Sequence, residues 1–383
     1  MEFVFDIDVV QEAISLVFDL APSKSSNGGP VPIKIRASEE LGIVYFSIVD
    51  LDSIVRHEVE ADVKSSGEAI VGLSNLHKSI SGFVARIGDS NGADKIKFSL
   101  GRQALTLTAK AFYGGKTVNQ RRSLSILDLT LPTINIPEKS EFVSVPCNLI
   151  SSALRKVLFS VSAGTSSGST QGVLFDLQDT VFKMVSTNGV TLTEFRHTLD
   201  TSKGSHQCVL MGTFVSKLSR VLSKISPEVE GEPNIYFLMG TNIFWLSYKG
   251  LFVGCPLLNS EFPRYSSLFE GKDKKFIVES EVLLDNIRNI LFNYDKEDNF
   301  RVSLSFMGDE FSVSSPACAN EGLPLEAGGG SLKIDFNAHL LEGAVKNLSS
   351  RFFIFSYKDR HTPVIFEPYD SKVNITSIVA PLK

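Results

Sequence analysis

Two rhythms of apolar residues alternate along this chain. In residues 213–225, Phe214, Leu218, Val221, Leu222 and Ile225 recur at helical spacing and form one stripe; Ser216, Ser219 and Ser223 lie opposite it, and Lys217, Arg220 and Lys224 run along one flank. That exposed part holds three cations and small hydroxyls but no carboxylate, the side chains that contact phosphate without reading bases. A single helix of this kind also reads as an ordinary solvated face. Its counterparts elsewhere in the chain give it weight.

A short strand (residues 2–5) leads into a helix carrying Val9, Val10, Ala13, Ile14, Leu16, Val17 and Leu20. The same unit returns at 141–145, followed by Leu149, Ile150, Ala153, Leu154, Val157, Leu158 and Val161, and again at 275–278, followed by Val282, Leu283, Ile287, Ile290 and Leu291. A second strand-and-helix unit keeps step with the first at 67–87, 206–225 and 330–348. Each copy precedes a hairpin pattern, at 94–111, 233–250 and 351–368. Alternation such as Ile96-Phe98-Leu100 is the period of two of half-buried strands. Each third therefore predicts β-α-β-β-β-α-β-β, an α+β domain with two helices packed on antiparallel sheet. A period of roughly 130–140 residues suits tandem domains, not a solenoid. Breaks at 130–139 and 270–275 divide the chain into domains 1–139, 140–271 and 272–383.

At 383 residues the chain is too long for one ordinary core. Its 43% hydrophobic and 21% charged content is that of a folded soluble protein. No apolar run reaches the ~18–20 residues of a membrane span, and the acidic opening MEFVFDIDVV lacks the basic start of an export signal, so a cytoplasmic protein is expected. Cys147, Cys208, Cys255 and Cys318 are scattered without a C-x-x-C pair, which suits reduced thiols and, with His residues elsewhere, no metal site. A net charge of −5 argues against a protein that wraps or coats DNA; contact with DNA requires its cations to be gathered on one surface. Gly164, Gly168 and Gly172 do not have dinucleotide-motif spacing, Gly114-Gly115-Lys116 lacks the rest of a P-loop, and no catalytic constellation stands out. An enzyme or a cofactor is not expected.

The repeat resembles the bacterial DNA polymerase III beta subunit, the sliding-clamp family, over essentially the whole chain. GVLFDLQDTVFKMVSTNGVTL (172–192) is similar to the family's G-x-L-F…T-(D/N)-G-x-x-L stretch, and EFPRYSSLF (261–269) to its F-P-x-Y segment. KIDFNAHLLEGAVKNL resembles its last-domain helix, and SIVAPLK its V-(V/M)-x-P-(M/L) tail. VDLD (49–52) is a faint echo in the first third. The resemblance implies three tandem DNA-clamp domains that close, as a head-to-tail homodimer, into a six-domain ring with helices lining a bore for duplex DNA. It also implies a processivity factor that works at the replication fork.

The bore would need weak, sequence-blind phosphate contacts. Its candidate cations are Lys78 and Arg86; Arg155, Lys156, Lys217, Arg220 and Lys224; and Arg288 and Lys346. The family's aromatic and basic loop before G-x-L-F is replaced here by AGTSSGSTQG (163–172). Partner peptides of a polymerase and a clamp loader would seat Leu and Phe anchors in a groove formed by Thr187, Gly189, Val190, Leu192, Pro263, Leu268, Ile378, Val379, Pro381 and Leu382, with Thr170 at the rim. The other reading of Ile378-Val379 is ordinary strand core. Val190 and Thr191 stand where the family commonly has His and Arg, and Ala380 and Leu382 where it has methionines, so a different motif preference is expected. Subunit contact would pair the strand at 121–129 with that at 300–306. Arg121, Arg122, Leu124, Leu291, Phe292 and Tyr294 would take part, with Glu297 and Asp298 as acids for the arginines. Arg122 replaces a frequent aromatic. The alternative is a clamp-fold interaction scaffold, monomeric or weakly dimeric, that binds peptides without encircling DNA.

Overall fold

The computed structural model describes all residues except 23, 26–27, 52, 88–94, 114–115, 139–140, 163–167, 201–203, 226–233, 293–299, 317 and 370–373; of 84–87, 111–113 and 116–117 only the backbone is described. Arg86 as a side chain, Tyr294, Glu297, Asp298 and half of the Gly/Ser loop (163–167) therefore lie outside the described residues.

In the first third, β1 (Glu2–Asp6) leads into α1 (Ile7–Leu20). Strands β2 (Pro32–Ser38), β3 (Ile43–Val49), β4 (Ile54–Glu60), β5 (Asp62–Ser65) and β6 (Gly67–Gly72) follow, then α2 (Leu73–Ile87), β7 (Lys95–Leu100), β8 (Ala104–Tyr113) and β9 (Lys116–Ser125). The middle third holds β10 (Val143–Pro146), α3 (Cys147–Val157), β11 (Gly172–Gln178), β12 (Val181–Thr187), β13 (Thr191–Thr198) and β14 (Ser205–Met211). It continues through α4 (Gly212–Ile225), β15 (Asn234–Met239), β16 (Ile243–Tyr248) and β17 (Leu251–Pro256). The last third begins with β18 (Lys274–Glu279), α5 (Ser280–Phe292), β19 (Arg301–Met307), β20 (Glu310–Ser314), β21 (Ala319–Pro324) and β22 (Ala327–Gly328). It ends with β23 (Ser331–Asn337), α6 (Ala338–Leu348), β24 (Phe352–Tyr357), β25 (Val364–Pro368) and β26 (Ile375–Val379). All six expected helices form, and each third carries more strands than its period-two runs suggested.

The chain folds as two compact units, Met1–Leu149 with Lys217–Leu257 and Ile150–Ser216 with Leu258–Lys383. The first contains a five-stranded sheet, β5-β1-β7-β8-β9, and an eight-stranded one, β10-β15-β16-β17-β4-β3-β2-β6. The second contains a nine-stranded sheet, β14-β11-β12-β13-β26-β25-β24-β18-β22, and a four-stranded one, β21-β20-β19-β23. Both long sheets run across the boundaries between thirds: β17 pairs with β4 (Val253 opposite Val55), and β13 with β26 (Leu192 opposite Ile378). One expectation fails here. Strand β19, the proposed subunit edge, is paired on both sides, so the free edges of its sheet are β21 and β23. Strand β9, by contrast, is an edge as expected.

Phenylalanine fills much of the interior, from Phe3 stacked on Phe98 at 4.8 Å in the first unit to Phe276 stacked on Phe306 at 4.2 Å in the second. Each such buried ring contributes roughly 1.5–3 kcal/mol. The helices place their apolar stripes as the spacing requires, with Phe214, Leu218, Val221 and Leu222 of α4 buried. Ser219 is buried as well, a correction to the all-solvent serine face. Asn337 explains the F-N pair before α6: its side chain accepts from the N–H groups of His339 and Leu340 and caps the helix.

The segment after β17 lies on the nine-stranded sheet. Leu258 N–H donates to the Val209 carbonyl at 2.9 Å, and Leu258, Phe262, Tyr265, Leu268 and Phe269 pack on a cluster of Leu174, Val185, Leu192, Val209, Ile365 and Ile378. Gly172, first residue of the G-x-L-F stretch, sits under this cover. A Cβ there would lie 2.7 Å from the Leu210 carbonyl oxygen and 2.9 Å from Leu258 Cδ1. Beside the apolar cluster, Glu194 is 5% exposed and is held by Arg196 at 3.0 Å and by the Tyr265 hydroxyl. Burial, then the charge and hydrogen bond of Glu194, push the Tyr265 phenol above its ordinary value.

Two outcomes follow for this cover. Gly172→Ala overpacks it and should cost about 1–3 kcal/mol, read as a lowered first thermal transition. Tyr265→Phe removes a hydrogen bond to a buried carboxylate and should cost about 1–2 kcal/mol. Because the folded phenol is raised, the stability it contributes is complete below the unfolded value of about 10 and is lost as pH rises beyond it. Denaturation between pH 9 and 12 should therefore be less steep in pH for Tyr265→Phe than for the parent protein.

Candidate docking site and nucleic-acid interface

The candidate docking residues are assembled by one turn and one strand pair. In the turn after β12, Thr187 Oγ1 donates to the Thr191 carbonyl at 2.8 Å and accepts from Gly189 N–H at 3.1 Å. Asn188 Oδ1 accepts from the N–H groups of Val190 (3.0 Å) and Thr191 (2.7 Å). Gly189 has φ +86°, a left-handed position that suits glycine. The T-N-G triplet is thus a rigid turn, and it leaves Val190 46% exposed. Thr191, Leu192 and the residues after them pair with β26, and Ala380 N–H donates to the Val190 carbonyl at 2.9 Å, which brings the tail beside the turn.

Leu192, Leu268 and Ile378 meet in the apolar cluster described above, with Leu192 and Ile378 as its floor. Pro263 is exposed next to Phe262. Val379 does not join them. Strand alternation turns it to the opposite face, where it is fully buried, so for this residue the core reading is correct. Thr170 is half-buried on the 3-10 turn Ser169–Gln171, just before β11. Pro381 and Leu382 line a neighbouring cleft with Pro363, Lys333, Arg360 and His361. Arg360 and His361 went unnoticed in the sequence because DRHTP carries only a turn signal, and Lys333 because it reads as an ordinary polar position on an alternating strand. Leu174, Val185 and Ile365 were also missed, as floor residues contributed by strands distant in sequence.

The candidate DNA cations divide sharply. Lys78 on α2, Arg155 on α3 and Arg220 on α4 are exposed and have no ion pair among the described residues. Lys156 is engaged instead: its Nζ donates to the Asn347 carbonyl at 2.5 Å and to Ser349 Oγ at 3.0 Å, at the C-terminal end of α6. Burial, with Arg155 beside it, lowers its ammonium pKa. Lys217 Nζ donates to the Ala21 carbonyl at 2.8 Å, at the C-terminal end of α1, and Lys224 pairs with Asp19 of the same helix. Both lysines on carbonyls sit where a helix dipole favours a cation. Arg288 bonds Asp285 (2.9 Å) and Glu342 (3.4 Å), and Lys346 bonds Glu342 (2.5 Å). Burial alone would raise the Glu342 carboxyl, but the two cations outweigh it and hold it low.

At the candidate subunit surfaces, Arg121 is exposed and near Thr106, while Arg122 folds its guanidinium over the Phe83 ring at 5.1 Å and Leu124 is buried. Those two serve the core of the first unit. Leu291 is half-buried, and Phe292, at the end of α5, is 91% exposed. No described helix is long and apolar enough to cross a membrane. Among the described residues no group of three or more His, Cys, Asp or Glu is placed to hold a metal ion.

No family model matches the chain. It is 21% identical over 394 residues to the beta sliding clamp of Synechococcus elongatus, covering 100% of this chain and 99% of that one. The fold matches the DNA polymerase III beta subunit of Pseudomonas aeruginosa with a TM-score of 0.85 at 16% identity and full coverage of both chains. It matches the sliding clamp of Bacillus subtilis at 0.83 and 18%, covering 100% of this chain and 99% of that one. A further P. aeruginosa sliding clamp, solved bound to griselimycin, matches at 0.84 and 16% with the same coverage. The resemblance first visible in the motifs thus extends from end to end: this chain has the sliding-clamp fold and is a divergent relative of the bacterial beta subunits.

Proposed function

We propose that the protein is a DNA polymerase sliding clamp, a processivity factor whose repeats 1–139, 140–271 and 272–383 are three clamp domains. Two copies close into a ring around duplex DNA at the cytoplasmic replication fork. A polymerase and a clamp loader dock through short apolar peptides and take turns at one site. The role asks for binding and topology, with no catalytic group. The reading rests above all on the β13–β26 pairing, which sets the Thr187–Gly189 turn against the 378–382 tail over an apolar floor, within a clamp fold of full length. Seating one Leu or Phe there contributes at most roughly 1.5–3 kcal/mol, and ordering a loose peptide offsets much of it, so the dock is exchangeable.

Lys78, Arg155 and Arg220 are the side chains this reading assigns to phosphate. Lys156, Lys217, Lys224, Arg288 and Lys346 are neutralised or bonded within the chain. For closure, the free edge of β9 and the free edge of β21 are the pairing strands, and Phe292 is the apolar contact that a second copy covers.

Light scattering on the eluted protein at micromolar concentration should give about twice the 41.9 kDa chain mass. Phe292→Asp should shift it towards the single-chain mass, and a parent protein that is strictly monomeric would favour the scaffold reading. In duplex-DNA binding, Arg220→Ala or Arg155→Ala should weaken affinity for every sequence alike and reduce the salt slope by about one. Glu342→Gln releases Lys346, leaves Arg288 with Asp285 alone, and should strengthen binding instead.

A further inference from the structure

We propose that the first third holds a binding site for a small phosphate monoester, at the position where the middle third has its apolar floor. The two repeats match in register. Across β6-β2-β3-β4, one row of opposed residues reads Ile70, Lys34, Ser47, Arg56. The row at the same place across β14-β11-β12-β13 reads Val209, Leu174, Val185, Glu194. The covering segments correspond as well. Leu127 N–H donates to the Ile70 carbonyl at 2.8 Å, as Leu258 N–H does to the Val209 carbonyl at 2.9 Å. Further along, one cover carries Pro132 where the other carries Pro263.

The place is the same and its chemistry is not. Lys34 and Ser47 stand where the middle third has Leu174 and Val185, and Arg56 stands where it has Glu194. In the next row, Arg36 takes the position of Asp176. Under the cover lies a cavity of roughly 210 Å³ lined by Lys34, Arg36, Tyr45, Ser47 and Arg56, and among the described residues no carboxylate lines it. Arg36 is exposed and has no ion pair among the described residues. Lys34 Nζ pairs with Glu68 at 2.9 Å and Arg56 Nη2 with Glu58 at 2.8 Å, but both pairs reach solvent, where such pairs are weak and screened. The Arg56 guanidinium also lies over the Tyr45 ring at 4.5 Å, and its Nε is buried with no hydrogen-bond partner. A guanidinium held this way is preorganised and short of acceptors.

An anion with several acceptor oxygens fits these donors. At rest, three cations face two acids; a dianionic phosphate that draws Lys34 and Arg56 away from their glutamates meets all three, with the Ser47 hydroxyl beside them. Leu41 and Ile134 give the cavity an apolar wall against which the body of the ligand lies, a contact that inorganic phosphate leaves unused. The volume is below the ~300–1,000 Å³ of pockets that hold drug-sized ligands, so the body is small. The phosphodiesters of duplex DNA carry one charge each on a body too large to enter. All these residues belong to one compact unit, and the site is independent of the docking reading.

The test uses the full chain and 4-fluorophenyl phosphate, followed by fluorine NMR, with 4-fluorophenol as the uncharged counterpart. The phosphate should bind with a Kd below about 1 mM at low salt, about ten-fold or more tighter than the phenol, and weaken about three-fold in 0.5 M salt. Arg36→Glu should weaken it about ten-fold and leave the thermal transition within about 1 °C, because the side chain is exposed. Glu68→Gln, which frees Lys34, should tighten it about two-fold, and Arg360→Glu, in the other compact unit, should change nothing. Inorganic phosphate should compete, but more weakly than the probe. No binding of the probe, equal binding of probe and phenol, or an unchanged Kd in Arg36→Glu overturns the proposal. A duplex oligonucleotide that displaces the probe better than inorganic phosphate does, at equal phosphate concentration, also overturns it and reassigns these cations to nucleic acid. None of these outcomes bears on the docking reading.

Discussion

The backbone ladder between β13 and β26 is the constraint on which the docking face depends. It joins residues nearly two hundred positions apart, with Leu192 opposite Ile378 and Thr191 opposite Val379. Side chains alternate between faces, so a slip of one residue would send Val379 outward and Ile378 into the interior and dismantle the floor. The ladder also fixes the Ala380 N–H on the Val190 carbonyl, so turn and tail move as one piece. Positioned by sheet and not by loop, the floor is formed before any ligand arrives.

Electrostatics in this chain are local and opposed to its net charge. Lysines whose sequence position suggested DNA contact bind helix ends instead: Lys156 at the last carbonyls of α6, and Lys217 at those of α1. A helix C-terminus with unsatisfied carbonyls is a strong competitor for a nearby ammonium, because the bond is short, permanent and reinforced by the dipole. The cations left over, Lys78, Arg155 and Arg220, are few and exposed. On the proposed reading, few contacts suit a surface that lets DNA slide, since each further phosphate contact steepens binding and its salt dependence.

Local rhythm made the helices and most strands legible in the sequence, since a period of 3.6 or 2 needs only a dozen neighbouring residues. The T-N-G and F-N stretches stood out only as family motifs; the structure shows why they are local units, since the hydrogen bonds of the Thr187–Gly189 turn and the Asn337 cap close within a few residues. What could not be read was pairing at a distance. The pattern of β19 suits an edge or an interior strand equally, and only its two partners decide. Glu194 reads as a surface acid on an alternating strand, but Tyr265, seventy residues on, folds over it. The flank of Lys156 looked open because its acceptor lies in the next third.

The cover formed by Phe262, Tyr265, Leu268 and Phe269 sets how strongly anything can dock. Because these side chains already bury Leu192 and Ile378 to within a few per cent of full burial, a ligand gains only the apolar area that remains along their edge. A deep, empty groove would reward its occupant with the full transfer energy of each anchor and hold it for long times. A floor covered this far yields less, and discrimination must then come from elsewhere. Charges at the rim can supply it at little cost in residence time, because exposed pairs act on the rate of encounter more than on the rate of escape. On the proposed reading, a shared dock that passes its occupants along is better served by such a rim than by a deeper floor.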